Sequence, residues 1–284
     1  MKISTLIILC FLFFSIPGFS QDKIDKSKQE LKDGDKKGTN DYSQQNQSNQ
    51  SDNAEDDQSI GKVIFRTVIK GLAYAVYYSA IGNYETEPHL QNILTKHPYY
   101  DGHSGNYEPS YYADADTTIY FRNTFRFDFD YQYLYAYNNL TGNHLQCNLR
   151  PFQYFYLQAQ YDGLSERRTN GTYSDLSLYH FNFCYDRIRF ERFNLGWKMG
   201  VCYISNDVNK SGFSIGLDAE AFVVKPVSLY ASQQWGNVNG VAVNEFEAGG
   251  KCYIKKCNIN VGYEHLKIGS PLYDFAFLGV GIQL

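Results

Sequence analysis

The stretch IYFRNTFRFDFDYQYLY, residues 119–135, alternates almost without interruption. Ile119, Phe121, Phe125, Phe127, Phe129, Tyr131, Tyr133 and Tyr135 share one parity, while Arg122, Thr124, Arg126, Asp128, Asp130 and Gln132 share the other. Successive side chains of a β-strand point to opposite faces, so this pattern predicts a strand with one apolar and one polar face. It runs well past the length of an ordinary globular strand.

The same device recurs to the last residue. Phe193, Leu195, Trp197, Met199, Val201 and Tyr203 alternate with Arg192, Asn194, Gly196, Lys198 and Gly200, and residues 213–223 repeat it. Ten segments follow: roughly 119–136, 143–150, 152–162, 175–186, 188–204, 212–224, 227–236, 242–254, 257–267 and 273–284. Arg150-Pro151, Asp186-Arg187, Lys225-Pro226 and Lys255-Lys256 read as tight joints. Longer polar loops are expected at 137–142, 163–174, 205–211, 237–241 and 268–272. Pro151, Pro226 and Pro271 fall at strand starts, where a missing N–H is tolerated. The prediction is all-β: a single up-and-down antiparallel transmembrane β-barrel of about ten strands, over 118–284.

Composition agrees. Of 284 residues, 26 are Tyr and 20 Phe, types that favour strands and suit a surface apolar on one side and wet on the other. The mean hydropathy of −0.44 excludes a polytopic helical membrane protein but not a barrel, whose strands are only half apolar. A net charge of −4 argues against a nucleic-acid partner.

Alternation does not say which face is inside, and a soluble lipid-carrying barrel would place its apolar parity inward. Three features favour the inverted, membrane reading. Glycines crowd the polar parity at Gly196, Gly200, Gly216, Gly249, Gly262, Gly279 and Gly281, as a narrow lumen requires. Aromatic residues of the apolar parity lie near strand ends, where an interfacial girdle would sit. The chain stops on a strand, with Leu278, Val280, Ile282 and Leu284 alternating to the end. In these features residues 118–284 resemble the small bacterial outer-membrane β-barrel proteins, a broad family. The terminal strand resembles the signal read by the barrel assembly machinery, although it ends on Leu284 and not on Phe or Tyr. The resemblance implies outer-membrane lipid and that machinery as partners, and the cell outer membrane as location.

The polar parity supplies the candidate site, a lumen charge network of Arg122, Arg126, Asp128, Asp130, Arg192, Lys198, Asp218, Glu220, Glu245, Glu247, Lys251 and Glu264. Mixed signs can pair across a narrow lumen, giving a salt-bridged, non-conducting filling; the alternative is a pore for small polar solutes. A binding or structural role through the long loops is the function expected. No Gly-rich phosphate loop, GxSxG, HExxH or metal-ligand spacing occurs, so no cofactor and no catalytic activity are expected. An outer-membrane hydrolase would have to use groups such as Glu264, His265 and Ser270, or Ser174, Asp175 and His180.

Upstream, residues 1–20 read as a signal peptide: basic Met1-Lys2, an apolar stretch from Ile3 to Phe14, and Gly18 and Ser20 before a cleavage site at Gln21. Residues 21–60 hold only isolated Ile24, Leu31, Ala54 and Ile60 among polar residues, so a disordered arm is expected. Over 61–117, Val63, Ile64, Val68, Ile69, Leu72, Ala73 and Val76 predict a short amphipathic helix, followed by an irregular connection. Five cysteines remain after cleavage. Cys252 and Cys257 flank the Lys255-Lys256 turn and would pair only in a suitable register.

Overall fold

The computed structural model describes residues 22–38, 77, 82, 93–94, 106–107 and 125–284, except 138, 153, 169 and 191. The segment read as a signal peptide, residues 39–60 and the helix expected near 61–80 lie outside the described residues, apart from Tyr77. Of the irregular connection, a two-residue antiparallel ladder is described, Ile93–Leu94 against Asn106–Tyr107.

Ten antiparallel strands close into a barrel: β1 (Arg126–Tyr135), β2 (Leu140–Arg150), β3 (Phe155–Arg167), β4 (Tyr173–Arg189), β5 (Phe193–Ile204), β6 (Lys210–Val224), β7 (Val227–Val238), β8 (Val241–Ile254), β9 (Cys257–Ile268) and β10 (Leu272–Gln283). Each pairs with its sequence neighbour. The last joins the first, with Val280 opposite Tyr131 and the backbone groups of Phe127 and Leu284 exchanging hydrogen bonds at 3.1 and 2.8 Å. Closure leaves none of the ten barrel strands with an unpaired edge, which is what a β-structure immersed in lipid requires.

The polar parity faces inward. Asp128, Asp130, Gln132, Gln158, Gln160, Asn182, Gln234 and Asn260 are buried, whereas Phe181, Phe213, Leu217, Leu229, Val261, Leu278 and Val280 are exposed. A soluble lipid carrier, with its greasy side inward, is thereby excluded. The glycines leave room for this filling: a Cβ on Gly281 would lie 2.1 Å from Asp130 Oδ1 and 2.4 Å from Asn258 Nδ2.

Two expectations about the rims need correction. The links are two to five residues long at one mouth and two to four at the other, because the strands run on through the polar residues expected to be loops. The predicted loop 163–174 is mostly ladder, with Ser165 opposite Asp175 and Glu166 opposite Ser174. The joint expected at Asp186-Arg187 is instead a bulge, which shifts the register between Asp186 and Ile188 and carries β4 on to Arg189. A bulge inserts one extra residue and breaks the alternation that marks a strand. Cys252 and Cys257 stand opposite Ile259 and Ile254, so the register separates them and both are free thiols.

The arm expected to be disordered is helical over Lys23–Gly38, helix α1. Ile24, Ser27 and Leu31 fall on one face, and all three are fully buried against the barrel mouth where β1 ends and β2 begins. Most of what holds α1 is polar and comes from the barrel. Glu166 accepts from the amides of Lys23 and Ile24, Ser27 Oγ meets Tyr273 OH at 2.7 Å, and Asn239 donates to the Leu31 carbonyl at 2.6 Å. Lys28 pairs with Asp207 at 3.2 Å, and Glu30 accepts from the amide and hydroxyl of Ser270. A helix anchored mainly by partners elsewhere in the chain carries little apolar periodicity of its own.

Candidate functional site

The lumen is layered along the barrel axis. At the mouth covered by α1 the inward residues turn apolar: Leu134, Leu164, Leu176, Leu178, Ile204, Val238, Leu266, Ile268 and Phe275 form one buried cluster with Ile24 and Leu31. Full burial of two such helix side chains stabilises by about 1.5–3 kcal/mol each. The collar and the helix together make a hydrophobic stopper.

Around the stopper, Asp25 holds the helix to the link between β3 and β4. Its Oδ1 accepts from Arg168 at 2.5 Å and from Ser174 at 2.8 Å. Partial burial works to raise the Asp25 carboxyl, but these hydrogen bonds and the Arg168 charge outweigh it and hold it below the ordinary aspartate value.

Below the collar lies a buried band of histidine, carboxylate and carboxamide groups drawn from opposite walls. β2, β3 and β4 supply His144, Asp162 and His180, while β8 and β9 supply Glu245, Glu247 and Glu264. His144 and Asp162 are direct cross-strand partners, their Nδ1 and Oδ1 2.6 Å apart. Glu264 Oε2 lies 3.8 Å from the same Nδ1, and His180 Nε2 lies 3.6 Å from Glu245 Oε2. Carboxamides fix these groups from the side. Gln160 donates to Asp162 Oδ2 at 3.0 Å and to Glu245 Oε1 at 2.6 Å, Gln234 meets His180 Nδ1 at 2.7 Å, and Gln132 and Tyr230 both donate to Glu247 Oε1.

Beyond the band, toward the mouth where the strands begin and end, the lumen is salt-bridged. Asp128 Oδ2 lies 3.0 Å from Arg126 Nε and 3.7 Å from Arg150 Nε, Arg150 reaches Asp186 at 2.6 Å, and Arg189 stands 3.9 Å from the same Asp186 oxygen. Arg150 also lies over the Tyr156 ring, 3.8 Å from its centroid. Lys198 pairs with Asp218 at 3.1 Å, and Lys251 with Asp130 at 3.5 Å. Glu220 accepts from Ser228 and Tyr253. A polar cavity of about 110 Å³ remains among Asn148, Arg150, Asp218, Glu220 and Lys251, room for a few ordered waters.

Of the charges singled out by parity, Arg126, Asp128, Asp130, Lys198, Asp218, Glu220, Glu245, Glu247, Lys251 and Glu264 therefore point into the lumen. Arg122 lies outside the described residues. Arg192 is a correction: it is exposed, because the turn between β4 and β5 falls at 190–192 and not at 186–187. Arg150, Asp162, Asp186, Arg189, His144 and His180 belong to the lumen and were missed. Continuing the parity of Gln158 and Gln160 to Asp162 would have found one of them. The bulge hid Arg189.

The outward face is a belt of Leu, Val, Ile, Phe, Tyr and Trp, and the strands are 10–17 residues long, enough to cross a bilayer when tilted. No helix among the described residues is long and apolar enough to do so. A closed, even-stranded antiparallel barrel with a greasy exterior and a polar interior is the architecture of outer-membrane barrels. The chain is an outer-membrane β-barrel.

No protein-family model and no curated protein matches it. Among solved structures it is similar to the COG4313 outer membrane channel from Pseudomonas putida F1, at 9% identity and a TM-score of 0.33 over 56% of this chain and 95% of that one. It is similar to LpxR from Salmonella typhimurium at 6% identity and a TM-score of 0.34, over 56% and 99%. Ail, the attachment invasion locus protein of Yersinia pestis, gives 12% identity and 0.27, over 56% and 96%. Likeness this weak carries no argument about role, and the assignment rests on the belt and the lumen.

The residues considered for a hydrolase are dispersed. Glu264 points into the band, and its neighbour His265 points out, 2.6 Å from Asp274. Ser270 is bonded to Glu30 and Ser174 to Asp25, both on α1, and His180 lies in the lumen.

Proposed function

We propose that the protein is a closed, non-conducting outer-membrane barrel, stabilised by its salt-bridged lumen and capped by its own N-terminal helix. The observation that carries this reading is the stopper: Ile24 and Leu31 of α1, both fully buried, inside a collar of inward apolar residues contributed by strands all around the barrel. An ion entering there would lose its hydration inside a collar whose described lining is mostly apolar. The band and the charge pairs block the remainder of the path.

The links between strands are too short to serve as a large surface for a partner, and Arg168, Asp207, Asn239 and Ser270 are engaged by α1. The role is accordingly structural, or one of binding within the lumen. Recognition by the barrel assembly machinery would fall to β10, whose Leu278 and Val280 face lipid. Planar-bilayer recording of the purified full chain tests the reading. No steady conductance is expected, and stable open channels would overturn it.

A further inference from the structure

The polar band contains seven buried atoms with no hydrogen-bond partner among the described residues: Nδ1 and Nε2 of His144, Oδ1 of Asp162, Nε2 of His180, Oε2 of Glu245, and both carboxylate oxygens of Glu264. Five of the seven lie in His–carboxylate contacts of 2.6–3.8 Å, whereas His144 Nε2 and Glu264 Oε1 have neither a hydrogen bond nor an ion pair among the described residues and forfeit their solvation. The atoms are not scattered. One ligand atom each from His144, Asp162 and Glu264 lies within 4.8 Å of the others, and so does one each from Asp162, His180 and Glu245.

The pattern of satisfied atoms sharpens this. Gln160 occupies Asp162 Oδ2 and Glu245 Oε1 and leaves the other oxygen of each. His180 meets the Gln234 carboxamide through Nδ1, and its Nε2, facing Glu245, is a ligand in the tautomer that donates Nδ1–H to the Gln234 carboxamide oxygen. Carboxamides that hold one atom of a ligand and present the other are what orients the first shell of a metal centre. The charge balance points the same way. Asp162, Glu245 and Glu264 are buried, and among the described residues the only basic groups within ion-pair distance of them are the two histidines. Three carboxylates brought together in a lumen require protons or a cation.

We propose that the lumen is a metal site, binding divalent transition ions at two adjacent three-ligand positions, His144–Asp162–Glu264 and Asp162–His180–Glu245, bridged by Asp162. The donors select the class. Imidazole with carboxylate, and no thiolate, suits zinc, manganese or ferrous iron. Calcium and magnesium prefer oxygen alone, and copper(I) prefers sulfur. Three protein ligands leave a coordination position open for water at each ion. The site stands independently of conduction, since a barrel of either kind could hold it.

The test uses the full-length barrel, folded in detergent micelles, stripped with chelator and titrated with Zn²⁺, Mn²⁺ and Co²⁺. Bound metal is counted by mass spectrometry after gel filtration, and Co²⁺ is followed by its visible absorption. Up to two ions per chain are expected. Asp162→Asn should abolish both and Glu264→Gln should remove one, while Gln160→Leu should weaken binding about 10–100-fold. Heat-modifiable mobility establishes that each variant remains a folded barrel. No binding by the folded wild type overturns the proposal, as does binding that survives Asp162→Asn in full, which would mark an adventitious surface site. Should Asp162→Asn fail to fold, Gln160→Leu decides: unchanged affinity there also overturns it.

Discussion

Glu166 of the barrel caps the start of helix α1: its Oε2 accepts the amide of Ile24 at 2.9 Å and its Oε1 that of Lys23 at 3.3 Å. The first turn of a helix leaves amides without internal partners, and a carboxylate there answers both the missing acceptors and the helix dipole. The cap comes from a residue far along the chain, so it acts only when the helix is seated.

Glu166→Ala should weaken docking by about 0.5–2 kcal/mol, the range for losing a capping oxygen. Limited trypsin digestion at Lys23, Lys26 and Lys28 reads it: cleavage accelerates while heat-modifiable mobility shows the barrel intact. Unchanged protection would mean that the cap contributes nothing.

The seating of α1 should also respond to acid. Asp25 is held below its ordinary value by Arg168 and Ser174, so its share of docking is fully present above the unfolded aspartate pKa. That share is lost as pH falls through the lower, folded value. Amide hydrogen exchange in α1 should stay slow from neutrality into the aspartate range and quicken below it. In Asp25→Asn this acid step should disappear. Both groups are partly exposed, so added salt should blunt the effect.

Gly34→Val should unseat the helix. A Cβ at Gly34 would lie 2.0 Å from the Asn239 carbonyl oxygen, a backbone atom with little freedom to yield. The expected result is a folded barrel whose arm is clipped freely, and which still conducts nothing because the polar band remains.

On the lipid face, Leu217→Arg near the middle of β6 should destabilise the barrel by about 2–4 kcal/mol, and Val224→Arg at the strand end by about 0–1. Urea-dependent folding into vesicles measures both. Equal costs would mean that the belt is misplaced. Ser214, of the opposite parity, is no tolerant control: it is fully buried and bonded to Gln234, so an arginine there would have no space.

Within the lumen, Asp218→Asn removes the charge opposite the buried ammonium of Lys198 and leaves it neutral acceptors such as Ser232. Removing one partner of a fully buried pair costs about 3–5 kcal/mol. Asp218 keeps 24% of its side chain exposed, so about 1–3 kcal/mol is expected here. The double variant Lys198→Met, Asp218→Leu should recover most of the loss.

The strands were legible because alternation is a local signal: Asp128, Asp130 and Gln132 announce their face without knowledge of their partners. Where a face changes along a single strand, the signal changes too. Gln160 and Asp162 give way to Leu164 on the same parity, which imitates the end of a strand although the ladder continues. The bulge near Arg187 did likewise, turning Asp186-Arg187 into a false joint and Arg192 into a false lumen residue. The band was illegible for another reason. His144, Asp162 and Glu264 come from separate strands, and only closure of the sheet brings the two walls together. Helix α1 showed just Ile24 and Leu31, two turns apart, because Glu166, Asn239 and Tyr273 supply most of its anchorage.

The polarity that hid α1 also governs the order of assembly. The helix precedes the strands in the chain, and it can be fully seated only once the hairpin carrying Ile268, Ser270 and Tyr273 has formed, since that hairpin receives Ser27 and Glu30. Contacts so distant in sequence form late. An apolar helix kept waiting would aggregate or bind the wrong surface; one rich in lysine and aspartate remains in water. Seating of α1 therefore presupposes that hairpin, and protection of α1 is expected to mark a closed barrel.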